Sequence, residues 1–188
     1  MQIDGSAHDW FEGRAPKCTL LVFIDDATSA LLGLRFVKSE STWSYFLLLR
    51  QYIAKYGRPL ALYSDRHTIF RSPQALTTTG HTQVGRALAQ LDIELICANS
   101  PQAKGRVERA NKTLQRRLVR ELRLRNVASM EEGNAVLEEL RLRHNERFAH
   151  CAAVAGDAHR TTDEVTLEAI LSVHHERTLS KDQTFQLG

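Results

Sequence analysis

The sequence predicts an α/β protein: a mixed five-stranded sheet with helices on its faces. Three observations carry this. The run Lys17 to Ile24 (KCTLLVFI) is β-rich and almost uniformly apolar, as a central strand covered on both sides must be. Three early strand-like segments are joined by short turns, which suggests an antiparallel meander, and the later strands alternate with helices, which suggests parallel additions. Val107, Ala110, Leu114, Leu118 and Leu122 recur at three- and four-residue steps, one buried stripe of a helix.

In order, Met1 to Asp4 reads as an extended segment, the first strand. Lys17 to Ile24 follows, Asp25 to Ser29 turns the chain, and Leu31 to Val37 is the third strand. Thr42 to Tyr56 is a helix whose Trp43, Phe46, Leu47, Leu49, Tyr52 and Ile53 make a wide apolar face, and Gly57 ends it. Leu60 to Tyr63 is a short strand stopping at Ser64-Asp65. Arg66 to His81, with Pro73, Gly80 and three consecutive threonines, reads as a mobile loop. Thr82 to Leu91 is a helix and Ile93 to Ala98 the fifth strand. A basic helix from about Arg106 and an amphipathic one from Met130 to Phe148 complete the main body. Beyond Ala149 the chain is looser, with a helical candidate at Asp163 to Leu171 and a strand candidate at Arg177 to Leu187. The expected division is 1–150 as one domain and 151–188 as a linker and the start of a further region.

Composition limits the function. The 188 residues, 43% hydrophobic, can bury a proper core, and no run of eighteen apolar residues exists to span a membrane. The three cysteines, Cys18, Cys97 and Cys151, are odd in number and widely spaced, so they read as reduced thiols of a cytosolic protein. The eight histidines show no zinc-module spacing.

Charge is unevenly placed. Residues 104–125 hold nine Lys or Arg and two Glu, a net of +7, while the whole chain is only +3. Glu108 on the first turns of so basic a helix has two readings. It could sit in surface ion pairs to Arg106 or Lys112, or it could be a metal-binding carboxylate inside a phosphate-binding surface. The second reading needs partner acids. Asp4 on the first strand and Asp65 at the end of the fourth supply them if those strands are neighbours. Three such carboxylates require a cation, and all-oxygen ligands favour Mg²⁺ or Mn²⁺. The pair Asp25-Asp26 is a rival, although its position suits a turn better.

Gln2-Ile3-Asp4, Val22-Phe23-Ile24-Asp25-Asp26-Ala27-Thr28-Ser29, Leu62-Tyr63-Ser64-Asp65 and Ser100 to Asn111 (SPQAKGRVERAN) together resemble the DDE catalytic core of bacterial insertion-sequence transposases and retroviral integrases, most closely the ISNCY-type transposases. The resemblance covers about residues 2 to 148. It implies a ribonuclease H-like fold and a two-Mg²⁺ site (with Mn²⁺ as a substitute) on Asp4, Asp65 and Glu108. It also implies DNA contacts from Lys104, Gly105, Arg106, Arg109, Asn111, Lys112 and Arg116. The implied activity is cleavage and transfer of DNA strands in transposition, on transposon ends and target DNA, by a homo-oligomer in the bacterial cytoplasm at the nucleoid. No counterpart of the family's helix-turn-helix region precedes Asp4, and its small β-rich region does not follow, so the chain reads as a catalytic-core fragment. Two other readings are a ribonuclease H-like nuclease without joining activity and a catalytically silent DNA-binding or dimerisation fragment.

Overall fold

The structure, a computed structural model, describes residues 1–64, 69–70, 82–97, 105–154, 156–175 and 181. Asp65, Lys104, nearly all of the expected 66–81 loop and the 177–187 strand candidate lie outside them. Five strands, β1 (Gln2–His8), β2 (Cys18–Ile24), β3 (Leu31–Val37), β4 (Ala61–Ser64) and β5 (Glu94–Cys97), form one sheet in the order β3-β2-β1-β4-β5. The first three are antiparallel, and β1–β4 and β4–β5 are parallel. The expected meander with parallel additions is therefore present, and strand four lies beside strand one.

Helices α1 (Thr42–Tyr56), α2 (Gln83–Gln90) and α5 (Glu164–Ile170) cover one face; α3 (Gly105–Leu124) and α4 (Met130–Phe148) cover the other. All seven residues of β2 are buried, and its side chains divide by alternation: Leu21 and Phe23 join the core under α1, and Leu20, Val22 and Ile24 join the core under α3 and α4. Leu167 and Leu171 from the C-terminal segment enter the α1 core.

Local chemistry sets the helix ends. Ser41 and Ser44 form a capping box at α1. At the end of α3, Asn126 adopts a positive φ of 55°, its N–H donates to the Arg123 carbonyl, and the Val127 N–H reaches back to that of Leu122. Val127 and Leu122 are both buried there, so the turn also fixes where α4 begins.

Two expectations are corrected. β1 does not stop at Asp4 but runs to His8, paired with β2 at every position, so Asp4 is anchored within a full strand. Trp43 is 59% exposed and belongs to no core; the fully buried tryptophan is Trp10, with Phe11, in the β1–β2 connection.

α4 lies unusually close to the sheet edge. A Cβ added to Gly133 would stand 3.0 Å from the Phe36 ring. At Leu31 and Phe36 the edge strand β3 has its outward backbone groups taken by two asparagines of α4. Asn145 accepts from the Leu31 N–H and donates to its carbonyl, both at 2.8 Å. Asn134 does the same at Phe36, at 2.8 and 3.1 Å.

Candidate active site and nucleic-acid surface

Gln2, Asp4 and Ser6 alternate along β1 onto the face covered by α3, and each meets that helix. The Gln2 Oε1 accepts from the Val107 N–H at 3.0 Å, Asp4 Oδ2 accepts from Asn111 Nδ2 at 2.8 Å, and Ser6 Oγ accepts from Gln115 Nε2 at 3.0 Å. The match is geometric. Two residues of strand advance about 6.6–6.8 Å and four residues of helix about 6.0 Å, so the two polar rows stay nearly in step.

The first contact also serves the helix start. The Val107 N–H is among the first-turn donors without an intrahelical acceptor, and a side chain from β1 satisfies it. Gln2 in turn donates to Asp26 Oδ1 at 2.6 Å, and Arg106 pairs with that same oxygen at 3.0 Å and donates to Ser29 Oγ. Thus β1, the β2–β3 turn and the start of α3 are tied together.

Glu108 is exposed one turn before Asn111, and three-residue spacing puts the two side chains on neighbouring positions of the helix surface. Asn111 touches Asp4, so the structure brings α3's acid-bearing turn to β1 at Asp4. The fourth strand ends at Ser64, beside β1, with Gln2 opposite Tyr63. Asp65 is the next residue in sequence and lies outside the described residues, so the three acids are not seen together. Among the described residues no group of three His, Cys, Asp or Glu stands ready to hold a metal. Two buried oxygens, Asn111 Oδ1 and Ser64 Oγ, have no hydrogen-bond partner among the described residues.

The surface-ion-pair reading of Glu108 finds no support among the described residues: Arg106 is engaged with Asp26, and no ion pair joins Glu108 to Lys112. Asp25 fills the turn role expected of it: its Oδ2 accepts from the Thr28 N–H and hydroxyl at 2.8 and 2.7 Å.

Of the other expected DNA-binding residues, Arg109, Lys112 and Arg116 are exposed on the outer side of α3, whereas Asn111 is buried against Asp4. At Gly105 an added Cβ would meet nothing within 4 Å among the described residues. Further along, α3 and the end of α4 enclose an open cleft of about 670 Å³ whose lining includes Arg116, Arg117, Arg120, Arg147 and Phe148. Sequence reading singled out the basic helix but not Arg147 or Phe148, because nothing in the order of residues shows where α4 ends relative to α3.

His144 lies beside this cleft. Burial, and secondly the charge of Arg117, hold its imidazole down from 6.5 to about 4. An unfolded chain takes up that proton near the ordinary value and the folded one does not. This contribution is therefore complete above about 6.5 and is lost as pH falls toward 4. After allowance for solvent screening it is on the order of 1–2 kcal/mol. In a proton NMR titration, Arg117→Gln is expected to move His144 upward toward its ordinary value; an unmoved titration would remove Arg117 as a cause.

A twisted mixed sheet in this order, with an acid-bearing helix laid over its central strand, is the ribonuclease H-like architecture of integrase-type cores. The comparisons agree. The chain is 48% identical over 189 residues to the Sinorhizobium fredii protein named "Putative transposase y4bF", covering 98% of this chain and 41% of that protein. It is 39% identical over 155 residues to the transposase for insertion sequence IS1202 of Streptococcus pneumoniae, covering 80% and 33%. No family model matches. Among solved structures, the simian T-cell lymphotropic virus intasome in complex with PP2A regulatory subunit B56 gamma superposes with a TM-score of 0.58 at 18% identity, over 84% of this chain and 51% of that one. The dimeric form of the HTLV-2 integrase catalytic core domain in complex with magnesium gives 0.56 at 16%, over 85% and 94%. At those identities the structures speak for the fold. Sequence and fold together place the chain in the transposase and integrase catalytic-core family, and it spans less than half the length of these two curated relatives.

Proposed function

We propose that the chain is the catalytic core of a DNA transposase, which cleaves DNA strands and transfers them to new phosphodiesters with Mg²⁺ or Mn²⁺. The observation that carries this is the seating of Asp4: a strand carboxylate held by Asn111, one turn from Glu108, on a strand flanked by the one that leads into Asp65. Residues 1–150 would make up the core and 151–188 would lead out of it. Its partners are transposon ends, target DNA and further copies of the same chain, at the nucleoid in the cytoplasm.

The donor set fits a hard divalent cation: Asp4, Asp65 and Glu108 offer only carboxylate oxygens, and Asn111 Oδ1 beside Asp4 is an acceptor without a partner among the described residues. Those oxygens would hold the ions, and the chemistry supplied there would be activation of the attacking hydroxyl and stabilisation of the leaving oxygen of an in-line displacement. The protein's own part is placement. Asn111 orients Asp4, the Gln2 contact fixes the first turn of α3, and that turn presents Glu108. Lys104, Arg109, Lys112 and Arg116 supply positive charge for phosphates without reading sequence. Arg106 does this while tied to Asp26, and Gly105 leaves room for close approach.

The test is a joining assay with labelled oligonucleotides and plasmid target. Joined products would support the transposase reading; cleavage without joining would make the chain a nuclease, and neither activity would make it a silent fragment. Asn111 gives a sharper check as a positioning residue. Asn111→Leu is expected to lower activity about 10–100-fold and to raise the Mg²⁺ concentration needed for half-activity, as loss of a ligand's hydrogen-bond partner does. The thermal midpoint should fall as well, since the Asn111 Nδ2–Asp4 bond is lost with it, so the Mg²⁺ requirement is the deciding readout. An unchanged Mg²⁺ requirement would leave Asn111 a structural contact only.

A further inference from the structure

Two groups stand out among the arginines of this chain. Arg14, Arg50, Arg106, Arg123, Arg125, Arg141, Arg143 and Arg160 are each paired with a carboxylate. Among the described residues Arg109, Arg116, Arg117, Arg120 and Arg147 have no such partner, and all five line, with Lys112, the cleft between α3 and the end of α4. Two of them are nonetheless held in place. The Arg117 guanidinium lies 5.2 Å and that of Arg147 5.8 Å from the centre of the Phe148 ring. Stacked guanidiniums keep their donors for a planar or tetrahedral anion and lose less freedom on binding than swinging side chains.

The position of the cleft is informative. Successive helix residues turn by about 100°, so Arg117 stands about 200° round α3 from Gln115. Gln115 is on the flank that meets β1 at Ser6, the flank to which Glu108 also belongs. Arg117 is on the other, against Phe148 of α4. DNA lying at Glu108 is separated from Arg117 and Arg147 by the girth of the helix, about 10–12 Å. Along the axis, Arg120 is also about 18 Å beyond Glu108. One phosphate run passing the candidate site therefore reaches Arg109, Lys112 and Arg116 at the near end of the cleft and leaves Arg117, Arg120 and Arg147 unanswered.

We propose that this cleft is a second DNA seat, which takes the phosphate backbone of a segment other than the one at Glu108. The proposal rests on the reading of the chain as DNA-binding and adds that DNA passes on both flanks of α3. The cleft's preference is for backbone over bases: cations crowd its rim, and its exposed apolar residues, Phe148 and Leu124, are too few and too engaged to stack a run of bases.

The probes are a linear duplex of about 20 base pairs and a three-armed junction with arms of the same sequence, titrated over a salt series with EDTA present. The wild-type chain is expected to bind the junction about 10-fold more tightly than the duplex. Arg117→Gln with Arg120→Gln and Arg147→Gln should abolish that preference and flatten the junction's salt slope by about 2–3, leaving duplex affinity nearly unchanged. The single Arg120→Glu keeps both Phe148 contacts and should act in the same direction, which guards against misfolding of the triple variant. The triple Arg→Lys variant should retain most of the slope.

A triple variant that weakens both probes by one factor would make the cleft part of a single continuous track and overturn the proposal. So would an unchanged junction preference. Polyglutamate displacing the junction as well as DNA does would point to an acidic protein surface instead. A wild-type chain that binds duplex but shows no junction preference removes only the second seat. One that binds neither removes the DNA reading with it. Because metal is withheld throughout, failure of the proposed chemistry leaves this test standing.

Discussion

Asp65→Asn is expected to abolish Mg²⁺-dependent nicking and joining, a loss on the order of 10³-fold or more, while fold and DNA affinity stay near wild type. Phosphoryl transfer draws several kcal/mol from charge stabilisation at the reacting oxygens, and each 1.36 kcal/mol is tenfold in rate. The substitution exchanges a carboxylate oxygen for an amide of almost equal volume, so it removes a ligand charge and little packing. Glu108→Gln should behave in the same way, because Glu108 is exposed on α3 and makes no ion pair among the described residues. The informative control is Asp25→Asn. Asp25 already accepts two hydrogen bonds from Thr28 in the β2–β3 turn, so its loss should lower stability and spare the chemistry. Supercoiled-plasmid nicking, read beside thermal melts of all three variants, separates these outcomes. Activity near wild type in Asp65→Asn, with Asp25→Asn inactive but folded, would move the catalytic role to the turn.

Much of this architecture is legible in the sequence because its signals are local. The apolar run of β2 can only be a strand covered on both faces, and the stripe from Val107 to Leu122 can only be a helix with one side buried. Other features depend on tertiary partners and leave little trace. β1 continues through Gly5-Ser6-Ala7-His8, a stretch of low strand propensity, because β2 offers a partner at every position. Trp10 and Phe11 have no periodic neighbours, yet fill the space beneath α4 beside Phe36, while Trp43 sits in a convincing apolar pattern and faces solvent.

The site shows the same division. Helical spacing correctly groups Glu108, Asn111, Lys112 and Gln115 on one side of α3. It does not show that Asn111 and Gln115 turn inward to β1 while Lys112 stays exposed. The sequence likewise counts Arg106 among residues for phosphates, and only the fold shows its pairing with Asp26. Charge patterning finds a basic helix; which flank each arginine serves follows from where α4 ends.

The sheet edge makes the last and most physical prediction. β3 ends the sheet, and an edge strand presents unpaired N–H and C=O groups that invite another strand. Asn134 and Asn145 answer this from α4, each offering one acceptor and one donor to a single strand residue, as a neighbouring strand would. Arg141, 4% exposed in its side chain, adds a bond to the Leu31 carbonyl at 2.6 Å while its guanidinium holds Glu138. Leu in place of both asparagines keeps the branched side-chain shape and is the better helix former, but leaves the Leu31 and Phe36 N–H groups without partners. At about 1–3 kcal/mol for each group stranded, the double variant should lose about 3–5 kcal/mol in urea unfolding, with the slope unchanged. Asn134→Asp and Asn145→Asp retain the acceptor and should lose less. The exposed edge should also show as association, read by size-exclusion chromatography across a concentration series. A double Leu variant within 1 kcal/mol of wild type and unchanged in size would mean that water serves the edge as well as the asparagines do.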